Sequence, residues 1–289
     1  MRRFTPAPER TTPVERWTLH VSRVLAPNPG PMTLDGTNTF VIRAPGHAGA
    51  IVVDPGPDDD DHLARLEAEG PVELILLTHH HRDHVEGAPR FAARTGAPVR
   101  AFEPQLCHDG APLADGDRIE AAGVRLDVVA TPGHTADSVS FHLPGDAAID
   151  DGATHAPPPG AGGAGGGTMI TGDTILGRGS TIIAHPGGSL GAYLRSLDRL
   201  AAFGAIPVLP AHGPGLADLA DVCAKYAAHR ARRLDEVRAA LEALGREPSG
   251  DPELVSTVVD LVYAEVDPAV RFAAEASTRA QLEYLAQTG

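Results

Sequence analysis

Residues 72–84 read VELILLTHHHRDH, an apolar run that ends in four histidines and an aspartate within seven residues. The run is short and lies between Pro71 and the histidine cluster, which predicts a buried strand over 72–78. In extended chain, positions i and i+2 face the same way, so His79 and His81 point to one side. Asp83 and His84 lie further round the turn and reach a second point a few ångströms away. A fold that accepts this segment must bury the strand while leaving its end open to a cluster of metal-ligating side chains.

The rest of the chain supplies the strands around it. Alternation predicts strands at 17–25, 40–44, 48–54, 98–102, 117–121, 123–130 and 138–143, with further short strands at 168–171, 181–183 and 206–210. Helices are expected near 58–69 and 86–95, and over 190–203, where Leu190, Leu194, Leu197 and Leu200 keep helical spacing behind a Ser189 cap. With 42% hydrophobic but only 4% aromatic residues, the core must rest on Val, Leu, Ile and Ala, and 32 Gly and 26 Pro imply many turns. Gly145–Gly167 is a Gly/Pro-rich insert whose composition predicts a flexible loop, so its Asp150, Asp151 and His155 are not read as ligands. From about residue 223 the pattern becomes helical: 224–244, 252–264 and 268–286, the last two opened by Asp251-Pro252 and Asp267-Pro268. The expected organisation is a large domain over 1–222 and a small helical one over 223–289, within 289 residues.

Three more candidate ligands follow predicted strands beside a glycine: His134 in TPGHT, Asp173 in TGD and His212 in PAHG. Placed together at one sheet edge with the 79–84 cluster, they would complete a metal site built from loops. Cys107 and Cys223 are isolated, which argues against a disulfide framework or a thiolate site. The net charge of −14 argues against a broad nucleic-acid surface. No apolar run is long enough to span a membrane and no export signal is apparent, so a cytoplasmic protein is expected.

The set Thr78-His79-x-His81-x-Asp83-His84, His134, Asp173 and His212 resembles the metallo-β-lactamase superfamily. That resemblance implies a four-layer αββα sandwich over about 17–220. It also implies that His79, His81 and His134 bind a first zinc, that Asp83, His84 and His212 bind a second, and that Asp173 bridges them. Asp54, in VVDPG, would orient a ligand or the cluster loop. NPGPMTLDGTNTF, GDTILGRGST and VYAEVDPAVRFAAE look like the beta-lactamase-like protein 2 group, whose members add a winged-helix domain and include a single-strand RNA endonuclease. Similar sandwiches serve as thioesterases, glyoxalase II among them. Here the wing is expected to be truncated, and from Lys225 onward 11 acidic residues outnumber 8 basic ones. The all-His/Asp set suits two zinc ions, with manganese or iron as alternatives.

The expected chemistry is hydrolysis, in which a metal-bound hydroxide oriented by Asp83 attacks an ester, thioester or related small-molecule bond. A net site charge of about +1 favours an anionic substrate. The alternatives are an endonuclease cutting single-stranded RNA and a non-catalytic metal-binding interaction protein. Minor expectations are that His80 and Arg82 point away from the site, that His185 is a loop histidine, and that Thr37 or Asn38 could touch substrate. Oligomeric state is not readable from the sequence.

Overall fold

A computed structural model describes residues 13–149, 156 and 166–288. Asp150, Asp151 and His155 lie outside the described residues. Two mixed sheets stack face to face. The first runs in the order β1 (Glu15–Arg16), β2 (Val21–Leu25), β3 (Asn38–Ile42), β4 (Ala50–Val53), β5 (Val72–Leu76) and β6 (Val99–Arg100). The second runs β11 (Val208–Pro210), β10 (Thr168–Gly172), β9 (Val139–Leu143), β8 (Val124–Ala130) and β7 (Arg118–Ala121).

Strand period 2 sorts the apolar residues between layers. Phe40, Ile42, Ile51 and Leu76 meet Leu126, Phe141, Ile170 and Leu209 between the sheets. Their neighbours Val41, Val52 and Ile75 face outward onto α1 (Asp60–Ala68) and α3 (Ala88–Thr95), packing on Leu63, Leu66 and Phe91. On the far side, Val129, Met169 and Val208 pack on Tyr193 and Leu197 of α4 (Leu190–Ala201). The layers are therefore αββα.

The same outer core continues into the C-terminal helices α5 (Leu219–Leu244), α6 (Pro252–Val262) and α7 (Arg271–Thr288), through Leu234, Val258 and Leu282. Helix α5 begins at Leu219 because the Asp218 side chain accepts the Asp221 N–H at 3.0 Å. The expected caps at Ser189 and Asp251 also form, and Asp59 caps α1. Among the described residues no strand follows β11, and no helix is long and apolar enough to cross a membrane.

Two strand expectations fail. The stretch 17–25 is broken by a turn at Trp17–His20, where the Thr18 hydroxyl accepts the Val21 N–H. Residues 181–183 form no strand. The edge position beside β11 is taken by Leu216, which exchanges two backbone bonds with Val208. The Thr181 and Ile182 carbonyls instead accept from Arg230 and His134.

Strand direction brings the candidate residues together. Strands β4 and β5 are parallel, as are β10 and β11, and β8 runs with β10 because each is antiparallel to β9. The segments carrying Asp54, His79, His134, Asp173 and His212 all leave the C-terminal ends of these strands.

Candidate metal centre

The cluster segment breaks strand geometry immediately after β5. His81 sits at the N-cap of a one-turn helix, α2 (Arg82–Val85), which carries Asp83 and His84. One ligand atom each from His79, His81, His134 and Asp173 forms one group, and Asp83, His84 and His212 form another, with the atoms of each group within 4.8 Å of one another.

Hydrogen bonds on the outer side of each ring fix where its protons lie. His84 Nδ1 donates to Asp54 Oδ2 at 2.7 Å. His134 Nδ1 donates to the Ile182 carbonyl at 2.6 Å and His212 Nδ1 to the Gly36 carbonyl at 3.1 Å. The Thr78 hydroxyl gives its hydrogen to Asp54 Oδ2 at 2.7 Å, so at 3.0 Å His79 Nδ1 must be the donor to it. Four imidazoles therefore commit Nδ1–H outward and turn Nε2 inward, where it offers a lone pair whenever the ring is neutral.

Those lone pairs converge. His81 Nδ1 lies 3.0 Å from both His79 Nε2 and His134 Nε2. Tetrahedral nitrogen ligands on zinc lie about 3.3 Å apart, given metal–nitrogen bonds of ~2.0–2.1 Å. In the other group, His84 Nε2 and His212 Nε2 lie 3.3 and 3.1 Å from Asp83 Oδ2. Asp173 faces both groups: Oδ2 is 3.9 and 3.6 Å from His79 and His134, and Oδ1 is 3.6 and 3.3 Å from His84 and His212. The buried atoms His84 Nε2, His212 Nε2 and Asp173 Oδ1 have no hydrogen-bond partner. Buried polar atoms are rarely left so, and here they point at one another as a cation would require.

The titration pattern follows from the same packing. Burial pushes His79 well below the ordinary histidine range, aided by His84 and His134, and takes His81 down to about 4. Burial also lowers His134. At His84 burial opposes the charge, but Asp83, Asp54 and Asp173 raise it well above its ordinary value. His212 is likewise raised, by Asp173 and Asp83 against burial. Burial works against ionised Asp83, yet His84 and His212 hold its carboxyl far below the usual range. A cation arriving at Asp83, His84 and His212 would displace protons.

The backbone supports this arrangement. Asp54 holds φ +51° after β4 and accepts the Thr78 N–H at 2.8 Å as well as the Thr78 hydroxyl. Gly172 has φ +50°, and a Cβ there would sit 2.8 Å from the Thr78 side chain; only glycine turns the chain toward Asp173 at this spacing. Thr37 and Asn38 are buried and occupied structurally, which removes the expectation that they meet substrate. The Thr37 hydroxyl donates to the Asp83 carbonyl at 3.0 Å, and Asn38 Nδ2 donates to the Pro210 and Gly213 carbonyls that flank His212. His80 turns to Asp137 at 2.7 Å, exposed Arg82 pairs with Glu86, and His185 lies 3.5 Å from Glu283.

A cavity of about 340 Å³ reaches His134 and Asp173. Its walls are mainly apolar and come from residues 31–34, 176–182 and the C-terminal helices, with Leu176, Tyr263, Val266 and Ala274 among them. Arg230 of α5 also lines it and was not singled out from sequence. A signal was present: Tyr226, Arg230, Leu234, Val237 and Leu241 repeat every three or four residues, which puts an arginine on the buried stripe of its helix.

Residues 32–212 match the Metallo-beta-lactamase superfamily model. The chain belongs to that superfamily. It is 28% identical to a Beta-lactamase-like protein 2 homolog of Caenorhabditis elegans, over 98% of this chain and 90% of that protein. It is 31% identical to an atrochrysone carboxyl ACP thioesterase of Aspergillus chevalieri, over 91% of this chain and 78% of that one. A metallo-beta-lactamase family protein from Thermus thermophilus superposes with a TM-score of 0.68 at 25% identity, covering 93% of this chain and 94% of its own. The chain is an enzyme of the hydrolase class.

Proposed function

We propose that the protein is a dinuclear metal-dependent hydrolase of small acyl esters or thioesters. The observation that carries this reading is Asp173, which turns one oxygen to each of two groups of inward-facing histidine nitrogens, at the end of a mainly apolar cavity. His79, His81 and His134 would hold one ion, Asp83, His84 and His212 the other, and Asp173 both. The nitrogen and oxygen donor set suits zinc, and it also fits manganese or iron. When bound, such ions lower the pKa of a coordinated water toward ~7 and polarise an acyl oxygen.

The protein's own groups do the rest. Asp83 stays anionic at neutral pH, with its Oδ2 turned to His84 and His212. Its other oxygen would accept a hydrogen bond from the water and orient it. The mainly apolar walls suit an acyl chain. The C-terminal helical unit, 223–289, would act as the outer wall of the substrate cleft. The similarity to a protein named as an acyl-carrier-protein thioesterase supports an acyl substrate.

The test is a panel of esters, acyl thioesters, phosphodiesters and single-stranded RNA with metal-loaded protein. Acyl thioester turnover should appear and be abolished by chelation and by His84→Ala. Metal-dependent RNA cleavage lost in His84→Ala, without acyl turnover, would reverse the assignment.

A further inference from the structure

Arginine is almost never fully buried without a counter-charge, because the desolvation penalty is large. Arg230 is 3% exposed. Its Nη2 donates to the Thr181 carbonyl, its guanidinium carbon lies 5.3 Å over the Tyr193 ring, and its Nε has no hydrogen-bond partner. Among the described residues no carboxylate lies within ion-pair distance of it. The other two arginines on the cavity wall are already engaged. Arg178 makes a two-bond fork with Asp35, and Arg233 bonds Glu236 and the Val262 carbonyl. One buried positive charge is thus uncompensated, in the cavity that ends at His134 and Asp173.

We propose that Arg230 is a specificity residue that binds a free carboxylate on the acyl part of the substrate, making half-thioesters or half-esters of dicarboxylic acids the preferred class. This rests on the hydrolase reading above. The planar guanidinium matches a carboxylate. Apolar residues such as Leu176 and Ala274 line the same cavity and suit the methylenes between the two ends of the acyl group. A single unengaged cation balances a carboxylate monoanion, whereas a phosphate dianion would stay half neutralised. A cavity of about 340 Å³ is at the small end for ligand sites, which fits a short acyl chain.

The experiment compares S-glutaryl-pantetheine with S-(5-methylhexanoyl)-pantetheine, an isostere in which a branched methyl pair replaces the carboxylate. Metal-loaded wild type, Arg230→Gln and Arg230→Lys are each assayed, and bound metal is measured alongside. Wild type should favour the glutaryl thioester by about 10- to 100-fold in kcat/KM. In Arg230→Gln that ratio should collapse toward unity through KM, and Arg230→Lys should restore part of it. A wild-type ratio near one, or a ratio unchanged in Arg230→Gln, overturns the proposal. If Arg230→Gln loses metal, the wild-type ratio and Arg230→Lys decide. If no thioester is turned over, the hydrolase reading fails by itself, and calorimetric titration of metal-loaded protein with glutarate judges Arg230. Glutarate binding that Arg230→Gln weakens about tenfold or more sustains the carboxylate site. Equal binding by both proteins, or tighter binding of inorganic phosphate, rejects it.

Discussion

At the scale of single residues, Asp54 organises more of the candidate centre than any candidate ligand does. It sits in left-handed backbone and accepts from the Thr78 N–H, the Thr78 hydroxyl and His84 Nδ1. Through Thr78 it also sets the proton position of His79, so one buried carboxylate orients a histidine in each group. Asp54→Asn replaces one accepting oxygen with a donor and breaks this pattern. Metal affinity, read by competition with a chromophoric chelator, should fall roughly 10- to 100-fold. Unchanged affinity would show that the two histidines need no such orientation. Asp54 was expected as a supporting residue because VVDPG resembles the superfamily's motif. The part played by Thr78 was not, because it depends on the close approach of two chain segments that sequence reading treats separately. Arg230 was missed for a similar reason: α5 reads as a helix whatever its arginine meets.

At the scale of elements, most strands and helices were legible because apolar periodicity and caps are local signals. The 181–183 stretch was not, since a β-branched triplet becomes a strand only where a sheet edge is free. Helix α1 shows how an element far from the cavity is tied to the centre. Its buried His62 contacts the Thr39 hydroxyl at 3.0 Å, and that hydroxyl donates to the Asp54 carbonyl at 2.7 Å, so Nε2–H must be the donor. Burial, with Arg65 nearby, lowers the His62 pKa to about 4. The unfolded chain takes up this proton near pH 6.5 and the folded chain only near pH 4, so stability falls as pH drops through that window. The loss amounts to about 3 kcal/mol by pH 4. Denaturant unfolding of wild type and His62→Gln between pH 7 and 4 checks this. The variant should lack that part of the slope, and parallel curves would contradict the assignment.

At the scale of the whole molecule, the two sheets bring together side chains from five strand ends, while the C-terminal helices close the cavity from outside. The sandwich was expected from the resemblance of the His/Asp motifs to the superfamily, and the candidate ligands come together because each follows a strand and these strands run one way. The cavity was not legible, since its walls come from loops and helices that meet only in the folded chain. The central claim is that Asp173 joins two metal-binding groups into one hydrolytic centre. The most direct test is metal analysis of wild type and Asp173→Ala, with acyl thioester turnover measured on the same samples. Wild type should bind metal at both groups, and Asp173→Ala should lose metal and turnover together. A variant that keeps its full metal content and full turnover would contradict the claim.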